Sequence, residues 1–187
     1  MGDLLNIITE LDRNEEIHLT RLLVLLKAFE RDDETAIKGI TKLAKLDFLL
    51  RYPSYFEVAM KKRGVSEKRL EIESYEKDSI EANMVRYRYG PWDHRYRKFL
   101  NILAAKGLVT LAVKGRTISI DLTNKGNKVA SEISQLTSFD ILFDRAGLLK
   151  RHLDLGATNL MKFIYDTFPE LNDMSLNSEI SSEQFLP

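Results

Sequence analysis

Arginine and aromatic side chains suited to specific binding stand together between positions 86 and 100, in the stretch RYRYGPWDHRYRKFL. The only tryptophan of the chain lies in this stretch. Guanidinium groups bind phosphates and carboxylates through several donors at once, and aromatic rings stack on nucleobases or pack in a core. The segment therefore suggests a nucleic-acid contact, a protein-binding surface or the basic side of a packed helix.

The charge around this stretch favours a polyanionic partner. Basic and acidic residues balance over the whole chain, at 28 each, but between Met84 and Lys125 only Asp93 and Asp121 offset nine basic residues. Lys and Arg side chains that neutralise phosphates gain affinity by releasing counterions. We expect a nucleic acid or an acidic partner, with an inert solvated surface as the alternative, at Arg86, Arg88, Arg95, Arg97, Lys98, Lys114 and Arg116.

The aromatic residues of the same stretch have the spacing of core residues. Tyr87 and Tyr89 alternate as in a strand, while Trp92, Tyr96 and Phe99 share one face of a predicted helix. Such rings most often line a core, with arginine side chains lying over their faces. Base stacking on these rings would require them to be exposed.

Residue types used in catalysis are present but not in catalytic patterns. The chain has no cysteine, and His18, His94 and His152 lie far apart without metal-ligand spacing. A GxxxxGK[ST] phosphate loop is absent. Asp93 before His94 is more simply a carboxylate at a helix start. We therefore expect no enzymatic activity, no metal and no cofactor.

Apolar periodicity and turn residues predict the elements that would position these side chains. Helices are expected over 18–30, 35–51, 54–62, 92–106 and 123–136, with two more between 140 and 168, and strands over 84–89, 108–113 and 117–122. Asp32 or Asp33 and Ser54 are the expected N-caps, and Gly115 is expected to turn a hairpin. No apolar run approaches the roughly 20 residues of a membrane span, so we expect a cytoplasmic protein without a membrane partner.

The order of these elements, with a helix after Gly-Pro and then a hairpin, is that of a winged helix-turn-helix. The stretch YGPWDHRYRKFLNILAAKGLVTLAVKGRTISIDLTNKGNKVA resembles the region that such proteins share. The resemblance implies a mainly α fold with a small β-wing (α+β), in which a winged-helix core carries additional N- and C-terminal helices. Arg97, Arg95 and Lys98 would then lie on the recognition helix, and Lys114 and Arg116 at the wing tip.

This resemblance implies an organisation in four parts. An acidic segment covers 1–17, the winged-helix domain 18–136, a helical extension 137–169 and an acidic tail 170–187. Within the domain, the charged segment 65–83 is either a solvated helix or a flexible insertion. The tail is expected to be mobile unless a partner orders it.

The last predicted helix has an apolar surface wider than one stripe. Its members are Leu160, Met161, Phe163, Ile164, Tyr165 and Phe168. Packing against other helices of the chain explains this pattern. The alternative is burial against another subunit, in a homodimer or a hetero-assembly, with Met and aromatic side chains as anchors.

Two further stretches, KLAKLDFLLRYPSYFEVAM and GATNLMKFIYDTFPEL, are similar to segments of the small middle component of bacterial ABC-three-component systems. That group includes Lamassu-type antiviral and antiplasmid defence. The resemblance implies a non-catalytic accessory subunit that bridges an SMC-like coiled-coil ATPase and an effector, and it supplies no catalytic residue.

Two other functions remain as alternatives. A dimeric winged-helix transcriptional regulator would place Arg95 and Lys98 at the base edges of double-stranded DNA. A nuclease or other enzyme would have to assemble its site from acidic residues scattered along the chain.

Overall fold

Helices and short strands alternate along the residues that the computed structural model describes, which are 15–31, 36–77 and 83–181. This part of the chain is mainly helical, with two small antiparallel sheets. The helices are α1 (Glu15–Ala28), α2 (Ile40–Arg51), α3 (Pro53–Lys62), α4 (Ser74–Lys77), α5 (Tyr96–Ala105), α6 (Asn124–Ile133), α7 (Asp140–Leu153), α8 (Ala157–Thr167) and α9 (Glu170–Asp173). The strands are β1 (Ile37–Lys38), β2 (Met84–Tyr87), β3 (Gly90–Trp92), β4 (Val109–Lys114), β5 (Thr117–Leu122) and β6 (Glu179–Ile180).

The first sheet has the strand order β1-β5-β4. Strands β4 and β5 form the predicted hairpin, and Gly115 adopts a φ of 62° in its turn. Strand β1 pairs with β5, so that Ile37 lies opposite Ile120 and Lys38 opposite Ser119. This pairing brings a segment from the N-terminal third of the chain to the side of the hairpin.

The prediction of one continuous helix over 35–51 is wrong at its beginning. Ile37 and Lys38 form a strand, and α2 begins only at Ile40. Gly39 separates the two with a φ of 97°, a left-handed conformation that ends the strand and that glycine adopts without a Cβ clash. The expected Asp32 and Asp33 caps lie outside the described residues. The prediction of Ser54 as a cap is wrong, because Tyr52 is the N-cap residue of α3 and Pro53 begins its first turn.

The second sheet, of order β3-β2-β6, corrects the prediction around Trp92. Trp92, predicted to begin a helix, instead ends the strand Gly90–Trp92 and pairs there with Val85 of β2. The Asp93 carboxylate then accepts a hydrogen bond from the Arg95 backbone N–H at 2.9 Å, which turns the chain into α5. Helix α5 consequently begins at Tyr96, and it ends before Gly107, whose φ is 70°.

The expectation of a mobile tail is wrong for its described part. Ile180 in β6 pairs with Met84, and its carbonyl oxygen accepts a hydrogen bond from the Tyr52 hydroxyl at 3.2 Å. Leu171 in α9 is fully buried. Burial of these two apolar side chains explains why the acidic segment joins the fold, since each fully buried Leu or Ile stabilises it by about 1.5–3 kcal/mol.

The charged segment 65–83 is held to the rest of the molecule by an arginine. It contains a 3-10 turn (Glu67–Arg69) and α4, while 78–82 lie outside the described residues. Arg145 of α7 donates to both carboxylate oxygens of Glu76, at 3.0 and 2.8 Å. Leu70 is buried. The described part of the segment is therefore docked rather than a freely solvated helix.

One apolar core joins the helices, and α8 contributes to it. Leu160, Ile164 and Phe168 have no exposed surface, so for them the alternative of packing within the chain is the observed one, and their assignment to a partner surface is corrected. Met161, Phe163 and Tyr165 are half-buried. A partner at these three stays a prediction.

Among the described residues, no helix combines the length and the apolar character that a membrane crossing needs.

Candidate functional site

A groove of about 800 Å³ lies where the first sheet meets the beginnings of α2 and α8. Three cationic side chains line it, those of Lys38, Arg97 and Arg116. The described residues contribute no Asp or Glu to its lining. An excess of positive charge in a concave site raises the local concentration of anions.

Each of the three cations comes from a different element. Lys38 lies on β1, Arg97 on the first turn of α5, and Arg116 in the turn between β4 and β5. Arg97 is exposed because the apolar face of α5 uses the neighbouring positions Tyr96 and Phe99, both of which are fully buried. The strand pairing and the packing of α5 therefore determine the geometry of the site.

Two helix N-termini add to the positive character of the groove. The N-cap residues Gly39 of α2 and Gly156 of α8 both line it, together with the first residues Ile40 and Ala157. Neither helix has a side-chain cap or an acidic residue in its first turn. The first N–H groups of a helix have no partner within it and carry its positive dipole end, so they favour an anion.

Arg97 and Arg116 are exposed, and within the described ranges neither forms an ion pair with a carboxylate. Their charges are therefore directed to solvent or to a ligand rather than used inside the protein. Arg88 is also exposed, but it lies over the ring of Tyr89, 5.6 Å from its centroid, and does not line the groove.

The other predicted contact residues have internal partners. Arg95, expected to point away from the apolar face of α5, lies over the Phe99 ring at 5.4 Å and forms an ion pair of 2.9 Å with Asp93. Lys98 is exposed but forms an ion pair with Glu15 of α1. The charges of Arg95 and Lys98, predicted to contact a ligand, are therefore paired with carboxylates of the protein itself.

Arg86 also has a structural role. Its Nε donates to the Leu171 carbonyl oxygen at 3.1 Å, and its guanidinium lies over the Tyr165 ring. The side chain of Lys114 lies outside the described part of the structure. Of the predicted contact residues whose side chains the structure describes, the groove thus brings together Arg97 and Arg116.

The aromatic residues divide into buried and accessible rings. Tyr96 and Phe99 are fully buried, as expected, but Tyr87 and Tyr89 are 40% and 48% exposed, so their prediction as core residues is wrong. Trp92 is half-buried and borders the groove. Tyr89 is exposed because it lies in the tight turn between β2 and β3, where its side chain is away from the core.

A buried network of ion pairs and hydrogen bonds contacts the beginning of α5 from the protein interior. The fully buried Asp47 accepts hydrogen bonds from Arg21 Nε at 2.5 Å, Arg51 Nε at 3.0 Å and the Tyr96 hydroxyl at 2.6 Å. Arg51 also contacts Asp93 at 2.8 Å. The network therefore joins α1 and α2 to the beginning of α5, which carries Arg97.

The network holds its carboxylates in the charged form. Burial alone would raise the pKa of Asp47, but the Arg21 and Arg51 guanidinium groups and the Tyr96 hydroxyl lower it below its ordinary value. Burial would also raise the pKa of Asp93. Hydrogen bonds from Arg95 and the charge of Arg51 outweigh this effect and lower the pKa well below its ordinary value. Both side chains consequently remain anionic at neutral pH.

Comparison with known proteins identifies no relative. No protein-family model, curated protein or solved structure matches this chain. Within the described ranges, no cluster of three or more His, Asp or Glu residues could hold a metal ion.

Sequence reasoning missed Lys38 and the two helix N-termini. The local signal for β1 is only two residues long and is followed by Gly39, so a single sequence offers little to distinguish it from a helix start. The missed residues enter the site through long-range pairing and packing. The glycines at 39 and 156, each before an apolar helical pattern, were the usable hints.

Proposed function

We propose that this protein is a winged helix-turn-helix protein that contacts nucleic acid through the groove of Lys38, Arg97 and Arg116. The succession α1, β1, α2, α5 and then the β4–β5 hairpin, with β1 paired to β5, supports this reading. In it, α5 is the recognition helix and the β4–β5 hairpin is the wing. The chain between α2 and α5 is then an insertion.

The composition of the groove carries the proposal. Three cations and two helix N-termini converge there, and the described lining includes no carboxylate. Phosphate contacts of this kind supply affinity without reading sequence. The nearby Asp93 does not oppose them, because it is paired with Arg51 and Arg95.

The wider role we propose is that of a non-catalytic, cytoplasmic accessory subunit of a bacterial SMC-like ATPase defence complex. Its support is the similarity of the two stretches within 42–60 and 156–171 to the middle component of such systems. The exposed Tyr87 and Tyr89, next to the half-buried Tyr165, offer the aromatic surface that protein partners commonly bury. Because Tyr87 stacks on Trp92, which lines the groove, a partner bound at these tyrosines would border the nucleic-acid site.

Charge reversal tests the nucleic-acid contact. The double variant Arg97→Glu/Arg116→Glu should bind a 20-base-pair duplex at least ten-fold more weakly than the native chain. The slope of log affinity against log salt concentration should become shallower by about two, because two phosphate contacts are lost. The matched control is Arg69→Glu/Arg151→Glu, because these arginines are also exposed but line a different cavity. Equal affinities for all three proteins would contradict the proposal.

Specificity and partner binding separate the accessory subunit from a transcriptional regulator. We expect a ratio of specific to random duplex affinity below about ten, whereas regulators reach 10³ or more. We also expect the tagged chain to recover a coiled-coil ATPase from its host with and without nuclease treatment. Recovery of the chain alone, with DNA enriched for one short motif, would favour the regulator.

A further inference from the structure

The aromatic residue of the groove indicates what form of nucleic acid it accepts. Trp92 lines the groove together with Arg97 and Arg116. Its ring stacks on Tyr87, with centroids 5.8 Å apart and planes inclined by 29°, and it meets the Tyr96 ring edge-on at 5.5 Å. Pairing of Trp92 with Val85 fixes its backbone as well. The indole is thus preorganised, which lowers the entropy cost of stacking a ligand on it.

A fixed aromatic ring beside guanidinium groups is the arrangement with which proteins bind unpaired nucleotides. The ring stacks on the base while the cations contact the phosphates, and stacking of one base changes affinity by roughly 5- to 150-fold. In a duplex both faces of each internal base are covered by its neighbours. An internal base can therefore reach a ring only when it is unpaired and unstacked.

The dimensions and polar lining of the groove suit a nucleotide. Its volume of about 800 Å³ lies within the range of sites that enclose small ligands. The side chains of Thr41 and Thr117 also line it and can hydrogen-bond a sugar or a phosphate oxygen. The beginnings of α2 and α8 lie at the same groove as the three cations.

We propose that the groove binds an unpaired nucleotide, with the base against Trp92 and the phosphate at Arg97 and Arg116. The nucleotide belongs to a single strand or is a free mononucleotide; both present the same base and phosphate. This inference rests on the proposed function, because it specifies which nucleic acid the groove accepts. It predicts a preference for single-stranded over double-stranded DNA.

Trp92 itself provides the first measurement, because it is the only tryptophan of the chain. The full chain is titrated with the 12-nucleotide oligothymidylate dT12, with a 20-base-pair duplex and with thymidine monophosphate, while the tryptophan fluorescence is recorded. We expect dT12 to quench the fluorescence saturably and to bind at least ten-fold more tightly than the duplex. A mononucleotide that quenches as tightly as dT12 identifies the free nucleotide as the ligand, and one that binds at least 100-fold more weakly identifies a strand.

Substitution of the ring separates stacking from charge. Binding of fluorescently labelled dT12 should weaken about ten-fold in Trp92→Leu and remain within two-fold in Trp92→Phe, which keeps an aromatic ring. Duplex affinity should be the same in both. The matched control is Tyr75→Leu, since Tyr75 is 74% exposed on α4 and does not line the groove. Thermal unfolding of each variant verifies that it is folded.

The outcomes distinguish this inference from the proposed function. Duplex binding that depends on Arg97 and Arg116, with no tryptophan quenching and no effect of Trp92→Leu on dT12, would overturn the inference and leave the proposed function intact. Absence of binding to dT12, duplex and mononucleotide would overturn both.

Discussion

Asp47 neutralises two buried arginines, Arg21 and Arg51, next to the beginning of α5. It is fully buried and contacts Arg21, Arg51 and Tyr96 at hydrogen-bond distance. Removal of one partner from a buried ion pair leaves the others uncompensated in a medium that solvates charge poorly. The network therefore makes the position of α5, and with it that of Arg97, sensitive to a single carboxylate.

We expect Asp47→Asn to lower the free energy of unfolding by about 3–5 kcal/mol, because Arg21 and Arg51 would lose their shared counter-charge. Urea unfolding followed by circular dichroism measures this. Asp144→Asn is the matched control, since Asp144 is an exposed carboxylate, and its effect should stay within about 0.5 kcal/mol. Similar effects of the two substitutions would contradict the role of the network.

Substitution of the buried Lys45, in contrast to that of Asp47, is expected to stabilise the protein. Burial lowers its pKa to about 8, and its Nζ donates to the Thr41 carbonyl oxygen at 3.0 Å. Between pH 8 and its ordinary pKa of 10.5 the unfolded chain binds more protons than the folded one, so stability from this group rises with pH. Lys45→Met should thus be more stable than the native protein at pH 7, by up to about 3 kcal/mol.

The pH dependence of this difference is the decisive measurement. Urea unfolding of the native chain and Lys45→Met is compared at pH 7, 8.5 and 10. The stability advantage of Lys45→Met should shrink steadily and largely disappear by pH 10. A constant advantage would show that packing, rather than charge, separates the two proteins.

At the scale of elements, two helical glycines have opposite requirements. Gly126 lies in the first turn of α6, where its N–H donates to the Thr123 hydroxyl at 2.9 Å. A Cβ at this position would lie 1.9 Å from the Leu108 carbonyl oxygen, so α6 can approach the beginning of β4 only with glycine there. Gly147 in α7 has open space around the corresponding position.

We expect Gly126→Ala to destabilise the protein by more than about 2 kcal/mol, because backbone atoms would have to move. Gly147→Ala should stabilise it by about 0.5–1 kcal/mol, since alanine loses less backbone entropy in a helix. Thermal or urea unfolding of both variants checks the two signs. A loss of stability in Gly147→Ala, or none in Gly126→Ala, would contradict this account of how α6 and α7 pack.

At the scale of the whole molecule, buried and half-buried carboxylates set the response to acid. Burial would raise the pKa values of Asp47, Asp93 and Asp154, but their hydrogen-bonding and basic partners lower them below the ordinary value. For Asp154 these partners are Lys150, Lys42 and Arg31. Each contributes stability that is present above the unfolded pKa of 3.8 and is lost as pH falls below it. These contacts tie α1, α2, α5 and α7 together.

We expect the free energy of unfolding to change little between pH 7 and 5 and to fall steeply below about pH 4. Asp154→Asn should be less stable than the native chain at neutral pH, and the difference should narrow below pH 4. Urea unfolding at pH 7, 5, 4 and 3 tests both statements. A difference that stays constant down to pH 3 would contradict the assignment to Asp154.

Much of the secondary structure follows from local signals. The β4–β5 hairpin around Gly115, the end of α2 before Pro53 and the end of α5 at Gly107 were predicted because turn and stop residues act on their own neighbours. The candidate site was predicted less well. Arg97 and Arg116 line the groove, but Arg86 and Arg95 are used internally, since alternating charge along a sequence does not specify which carboxylate or ring lies opposite.

Local sequence patterns were sufficient to predict the amphipathic helices and the hairpin that turns at Gly115, because apolar periodicity and turn residues are properties of short segments. The pairing of Lys38 with Ser119 and the place of Trp92 on a strand depend on the folded chain. So does the groove that the helix starts at Ile40 and Ala157 share with Arg97 and Arg116. These arrangements join residues that are distant along the chain. Their free energy comes from the burial of a shared core and from long-range strand pairing, which no short segment encodes alone.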